Sequence, residues 1–171
     1  ARAGGSRIVA RRARFHPLFK QPGVLEVWVE DGKTFELFRS YKICAFSGEL
    51  GPKLKEGDRQ APEGCYFVTS DRMNPNSSYH LSFNLGFPNA FDQHHGRTGS
   101  ALMVHGACVS IGCFAMGDQA IEEIWTICSR ALEKGQKFFR VHSFPFPLTN
   151  KNLEQHRGDQ PLRHAADVGG R

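Results

Sequence analysis

The chain has 171 residues, 40% of them hydrophobic and 23% charged, enough to bury one core without disulfides or metals and too ordinary in balance for a disordered or fibrous protein. The net charge of +5 favours an anionic partner, whether a polymer, a wall or a membrane surface. No apolar run reaches the roughly 18 residues of a membrane span, and no secretory apolar segment is present. The first residue is Ala1, so an export signal is expected to have been removed.

Arg2, Arg7, Arg11, Arg12 and Arg14 precede every acidic residue. They predict a basic extension over 1–17, with a short helix over Ser6 to Arg14 that His16-Pro17 ends. Such an arm suits an anionic polymer or a solvated tail. Val24 to Val29 predicts a strand, Asp31-Gly32 a hairpin turn, and Thr34 to Phe38 the return strand. Tyr41 to Phe46 extends that arm. Ser47 to Gly64 is rich in Gly and Pro and predicts a long loop of the kind that often carries function. Cys65 to Thr69 predicts another strand, and Asn74 to Ser78 a turn cluster.

His80 to Leu85 alternates, placing Leu81, Phe83 and Leu85 on one face of a strand. Gly86 to Gly99 predicts a loop, and Ala101 to His105 a short apolar strand. Asp118 to Lys134 predicts the main helix, with Asp118 as N-cap and Gly135 as the stop. Ile121, Ile124, Trp125, Cys128, Ala131 and Leu132 form its core stripe. Phe138 to Phe144 predicts a final strand, and the chain from Asn150 a polar tail. Short strands with one substantial helix predict a mainly β, α+β domain, sandwich or barrel, over 18–149.

His105, Gly106, Ser110, Gly112 and Cys113 fall within one short segment before the helix. A free thiol ionises near pH 8.5, so a cysteine nucleophile needs a neighbouring base, and an acyl-transfer site needs backbone donors for an oxyanion. This segment has the residues for all three. The spacing of His105, Cys108 and Cys113, with His94 or His95, also permits zinc, although it lacks a second tidy pair of ligands. A non-catalytic wall-binding module would suit the positive charge. The five cysteines are Cys44, Cys65, Cys108, Cys113 and Cys128. In an oxidising compartment four could pair, in three ways.

These motifs resemble the YkuD-type L,D-transpeptidases, in their YafK-like branch. The resemblance is carried by His105-Gly106, Ser110-Ile111-Gly112-Cys113 and Phe114-Ala115-Met116. It extends to Ala61-Pro62-Glu63-Gly64, Tyr79 to Asn84, Pro88-Asn89, Arg97-Thr98-Gly99 and Val141 to Phe146. It implies a periplasmic or cell-envelope enzyme with a β-rich catalytic domain. Cys113 would be the nucleophile, His105 the general base and acid, and the Gly106 carbonyl the group that orients His105. The N–H groups of Gly112 and Cys113 would form the oxyanion hole, with Ser110 shaping the loop.

The implied substrates are peptidoglycan stem peptides, as donor and as acceptor, with wall-linked lipoprotein as a further partner. No cofactor, metal or nucleic acid is implied. Crosslinking is the implied reaction, and hydrolytic release of lipoprotein or stem residues is its alternative. The chain departs from the wider family at Ile111, where a second His is usual, and at Ala115, where Arg is frequent. Another basic group must then hold the stem carboxylates, with Arg97, His80 and Arg72 as candidates. Tyr79, Ser82 and Asn84 complete the expected substrate-binding set.

Overall fold

A computed structural model describes residues 12–158. Ten strands form two five-stranded sheets. The first takes β1 (Arg12–Phe19), β2 (Val24–Asp31), β3 (Thr34–Lys42), β5 (Gly64–Val68) and β10 (Phe139–Phe144), in the order β3-β2-β1-β10-β5. The second takes β4 (Ala45–Phe46), β6 (Met73–Ser77), β7 (His80–Asn84), β8 (Met103–His105) and β9 (Phe114–Ala115), in the order β4-β9-β8-β7-β6. Strands β1 and β10 run parallel, as do β8 and β9. Among the described residues three α-helices join them: α1 (Ala90–His94), α2 (Asp118–Glu133) and α3 (Asn150–Gln155). The mainly β, α+β architecture expected from the alternation is present, as two sheets rather than one closed barrel.

Both sheets turn alternate residues into one core. Leu18, Leu25, Val27, Tyr66 and Val141 come from the first sheet, Phe83, Val104 and Phe114 from the second. Phe83 meets Phe139 edge to face at 5.3 Å, a direct contact between the sheets. Helix α2 adds Ile121, Ile124, Cys128 and Ala131, the helical stripe predicted from spacing. It stops where Gly135 takes φ +90°, a conformation glycine adopts without steric cost.

Several elements differ from expectation. The helix predicted over Ser6 to Arg14 lies partly outside the described residues, and from Arg12 onward the chain is strand β1. Pairing with β2 and β10 turns Ala13, His16 and Leu18 into the core, and this tertiary packing overrides a local helical pattern. The expected boundary at residue 17 therefore falls inside a strand. Asn74 to Ser78 belongs mostly to β6, not to a turn. That strand is at a sheet edge and its pairing is irregular between Asn74 and Ser77, the kind of place where a strand tolerates proline. The turn itself is confined to Ser78 and Tyr79.

Gly86 to Gly99 contains α1, opened by Asn89 and Asp92 in a reciprocal capping box. The N-cap of α2 is Gly117, not Asp118. The Asp118 carboxylate instead accepts the N–H of Ala107 at 2.7 Å. The stretch from Asn150, expected to be a polar tail, opens with α3, capped by Thr149.

Candidate active site

Strands β8 and β9 set the site. They pair in parallel, with Val104 opposite Phe114 and His105 opposite Ala115. His105 therefore ends one strand while Cys113 immediately precedes the other. Residues 106–112 bridge them as a short connection, held at several points. Met116 N–H donates to His105 O and Gly117 N–H to Ala107 O, each at 2.8 Å. A disulfide joins Cys108 to Cys44, beside β4. Of the three pairings open to four cysteines, none forms in full: Cys65, Cys113 and Cys128 carry free thiols. With Cys108 oxidised, the zinc set drawn from His105, Cys108 and Cys113 loses a ligand, and no other group of three ligands gathers among the described residues.

His105 is 2% exposed. Its Nδ1 lies 2.5 Å from the carbonyl oxygen of Gly106. A carbonyl only accepts, so the proton is assigned to Nδ1, and Nε2 is left as the basic nitrogen. Gly106 must be glycine, because a Cβ there would lie 2.6 Å from Tyr79 O and 2.7 Å from Asp118 Oδ1. The ring of Tyr79, at the tip of the β6–β7 hairpin, lies over the imidazole with centroids 4.7 Å apart. Ser82 is fully buried directly across the ladder from His105.

The Cys113 thiol lies beside the start of β8. Sγ accepts the Met103 N–H at 3.4 Å and donates to Ala101 O at 3.5 Å. Burial pushes the thiol above its ordinary value, against the opposing pull of the Met103 N–H and the charge of Lys53. Burial likewise lowers His105, against the Gly106 hydrogen bond. Both shifts favour the uncharged forms, imidazole and thiol. Ser110 Oγ donates to Cys113 O at 2.6 Å and accepts the Gly112 N–H at 3.2 Å. One of the two expected oxyanion donors is thereby spent inside the loop.

The expected carboxylate-binding groups are engaged elsewhere. Arg97 is 6% exposed and pairs with the buried Asp92 at 2.7 Å, so it fixes α1 rather than facing solvent. Arg72 donates to the carbonyls of Phe67 and Leu85 and ties two strands. His80 is at the rim and meets Glu122 at 2.7 Å. Asn84 accepts the Gly86 N–H and closes a turn. Lys53, absent from the sequence expectations, is buried beside Gly99 and pairs with Asp58 at 2.6 Å. Its only sequence signal was an acidic residue shortly downstream, Asp58.

A two-sheet β domain with a cysteine and a backbone-oriented histidine on adjacent strand ends defines a class, and the chain belongs to it: the YkuD family of L,D-transpeptidase catalytic domains, whose model matches residues 21–141. Among its relatives is the YafK protein of Escherichia coli strain K12, provisionally named an L,D-transpeptidase, with 45% identity over 140 residues. The match takes in 82% of this chain and 57% of that protein, and YafK of strain O157:H7 matches equally. The chain thus spans little more than half the length of these relatives.

The fold is shared with the helical cell shape determining protein Pgp2 of Campylobacter jejuni, with a TM-score of 0.61 at 24% identity over 77% of this chain and 47% of that one. It is shared also with Bd1075 of Bdellovibrio bacteriovorus, with a TM-score of 0.53 at 18% identity over 92% and 57%.

Proposed function

We propose that this domain transfers a peptidoglycan stem peptide through a thioester on Cys113. The observation that carries the proposal is the His105 imidazole, buried and oriented by the Gly106 carbonyl, on the strand paired beside Cys113. His105 Nε2 takes the Cys113 proton as sulfur attacks the carbonyl at the L-centre of the stem diamino acid. The carbonyl oxygen gains the negative charge, and the Cys113 N–H is the proposed donor to it. The tetrahedral intermediate collapses, the bond to D-Ala breaks, and His105 returns the proton to the leaving amine. An acceptor amine then attacks the thioester and loses its proton to His105, releasing the thiol and forming a crosslink.

Water in place of the amine gives hydrolysis, so the same residues serve removal of stem residues or of a wall-linked lipoprotein. The Cys44–Cys108 bridge supports an oxidising compartment, as the periplasm or cell envelope would provide. No helix among the described residues is long and apolar enough to cross a membrane.

Incubating the purified protein with tetrapeptide muropeptides and weighing the products tests the proposal. Dimers are expected for transfer, and free tripeptide for hydrolysis. Cys113→Ala should lower either by roughly 10⁴-fold or more. Retained turnover in that variant, or a carbapenem adduct on Cys65 or Cys128 rather than Cys113, would remove Cys113 as nucleophile.

A further inference from the structure

The peptide unit between Gly106 and Ala107 is held at both of its polar ends. Its carbonyl oxygen, on Gly106, accepts from Nδ1 of His105 at 2.5 Å. Its N–H, on Ala107, donates to Asp118 Oδ1 at 2.7 Å. Carboxylate, peptide and imidazole thus form one chain of hydrogen bonds that ends at the basic Nε2. A carboxylate that orients a catalytic histidine usually touches the ring itself. Here one peptide unit stands between them.

The surroundings fix that peptide. A Cβ on Gly106 would lie 2.7 Å from Asp118 Oδ1, so the carboxylate comes this close only past a glycine. Ala107 has φ +53°, a left-handed conformation that a residue with a side chain keeps only where its neighbours hold it. Asp118 holds its N–H, and the Gly117 N–H holds its carbonyl at 2.8 Å. Asp118 does not cap its own helix, whose N-cap is Gly117 with no side-chain cap bond. Glu122, one turn further along α2, takes a different partner, His80 on the β6–β7 hairpin, at 2.7 Å.

We propose that Asp118 is a positioning residue for His105: its carboxylate, acting through the Gly106–Ala107 peptide, fixes and polarises the carbonyl that holds the Nδ1 proton. The proposal rests on His105 being the base for Cys113. A peptide whose N–H donates to an anion carries more negative charge on its carbonyl oxygen, so bonds in such a chain reinforce one another. A more negative Gly106 oxygen supports the positive charge that His105 gains when it takes the Cys113 proton. The Asp118 contact is open to solvent, which sets the effect at several-fold rather than orders of magnitude. A merely structural Asp118 would anchor residues 106–107 and leave the basicity of His105 as it is.

The test is the titration of His105 in the full chain, read by NMR from its Cε1–H resonance in Cys113→Ala protein, where no thiol couples to the ring. Asp118→Asn keeps an accepting oxygen and removes the charge. Its His105 midpoint should move to lower pH, because the imidazolium loses support. With Cys113 present, Asp118→Asn should lower kcat on a stem tetrapeptide by roughly 3- to 10-fold and leave KM within about twofold. Asp118→Ala should lower kcat further, since the accepting oxygen goes as well. Glu122→Gln removes a carboxylate from the same helix face but not from the peptide, and should leave the His105 midpoint in place.

An unmoved midpoint in Asp118→Asn, or kcat retained in full, overturns the proposal. So does an equal shift in Glu122→Gln, which would mark a general field of the helix rather than a path through the peptide. Should Asp118→Ala not fold, the Asn variant, of the same shape, carries the test alone. The NMR titration reads the ring without substrate, so its failure would leave the transferase proposal standing. Retained turnover by Cys113→Ala would remove that proposal instead.

Discussion

Tyr79 occupies a two-residue turn, is 47% exposed, and still covers the imidazole of His105. An aromatic face over a ring contributes about 0.5–1.5 kcal/mol, enough to select one rotamer of a base whose other nitrogen is already committed. Tyr79→Ala is therefore expected to lower kcat by about 3- to 10-fold with little change in KM, and Tyr79→Phe to retain it, since the ring supplies the contact. Steady-state kinetics on a stem tetrapeptide separate the two, and an equal loss in Tyr79→Phe would shift the role to the hydroxyl. Residue types alone left zinc and a wall-binding module open beside a nucleophile, and it was the resemblance of the surrounding motifs that gave His105, Gly106 and Cys113 their expected roles. Lys53 was not legible. A buried lysine and a solvated one look alike in sequence, and only the fold, which leaves Lys53 4% exposed against Asp58, shows which this is.

Strands β2, β3, β5, β7, β8 and β10 and the main helix followed from period and punctuation, whereas β1, β6 and the connection between β8 and β9 did not. Parallel strands usually need a long crossover, and nothing in residues 106–112 announces that two such short strands pair this way. One restraint on that connection is distant, since Cys44 is 64 residues from Cys108. Sequence spacing does not choose among pairings of that kind. Closing so long a loop removes entropy from the unfolded chain, an effect of about 4 kcal/mol in the loop-closure model. Replacing Cys44 and Cys108 together by Ala should lower stability by about that amount in urea unfolding, and should lower turnover further as residues 106–112 lose their anchor. A double variant as stable and active as wild type would show that the hydrogen bonds from Met116 and Gly117 suffice.

The two sheets and α2 share one core, and His16 of β1 is buried where they meet, 3.4 Å from the Cys128 thiol. Burial lowers His16 from 6.5 to about 4. Between those values the unfolded chain binds a proton that the folded protein excludes, so stability rises with pH through the window. The contribution is complete above about pH 6.5 and falls away toward pH 4, by about 3 kcal/mol in all. Urea midpoints at pH 7 and pH 4.5 should differ accordingly, and His16→Leu should flatten the difference; an equal slope in that variant would place the acid sensitivity elsewhere.

The same architecture separates what must stay constant from what can vary. His105 and Cys113 hang from a ladder of main-chain bonds, while Val109 and Ile111 stand out at 58% and 82% exposure on the span between them. Those two side chains form a crest on a span that Gly106, Cys108 and Ser110 hold in place. Exchanging Val109 and Ile111 would change the surface presented beside Cys113 and leave the main-chain ladder under it as it is.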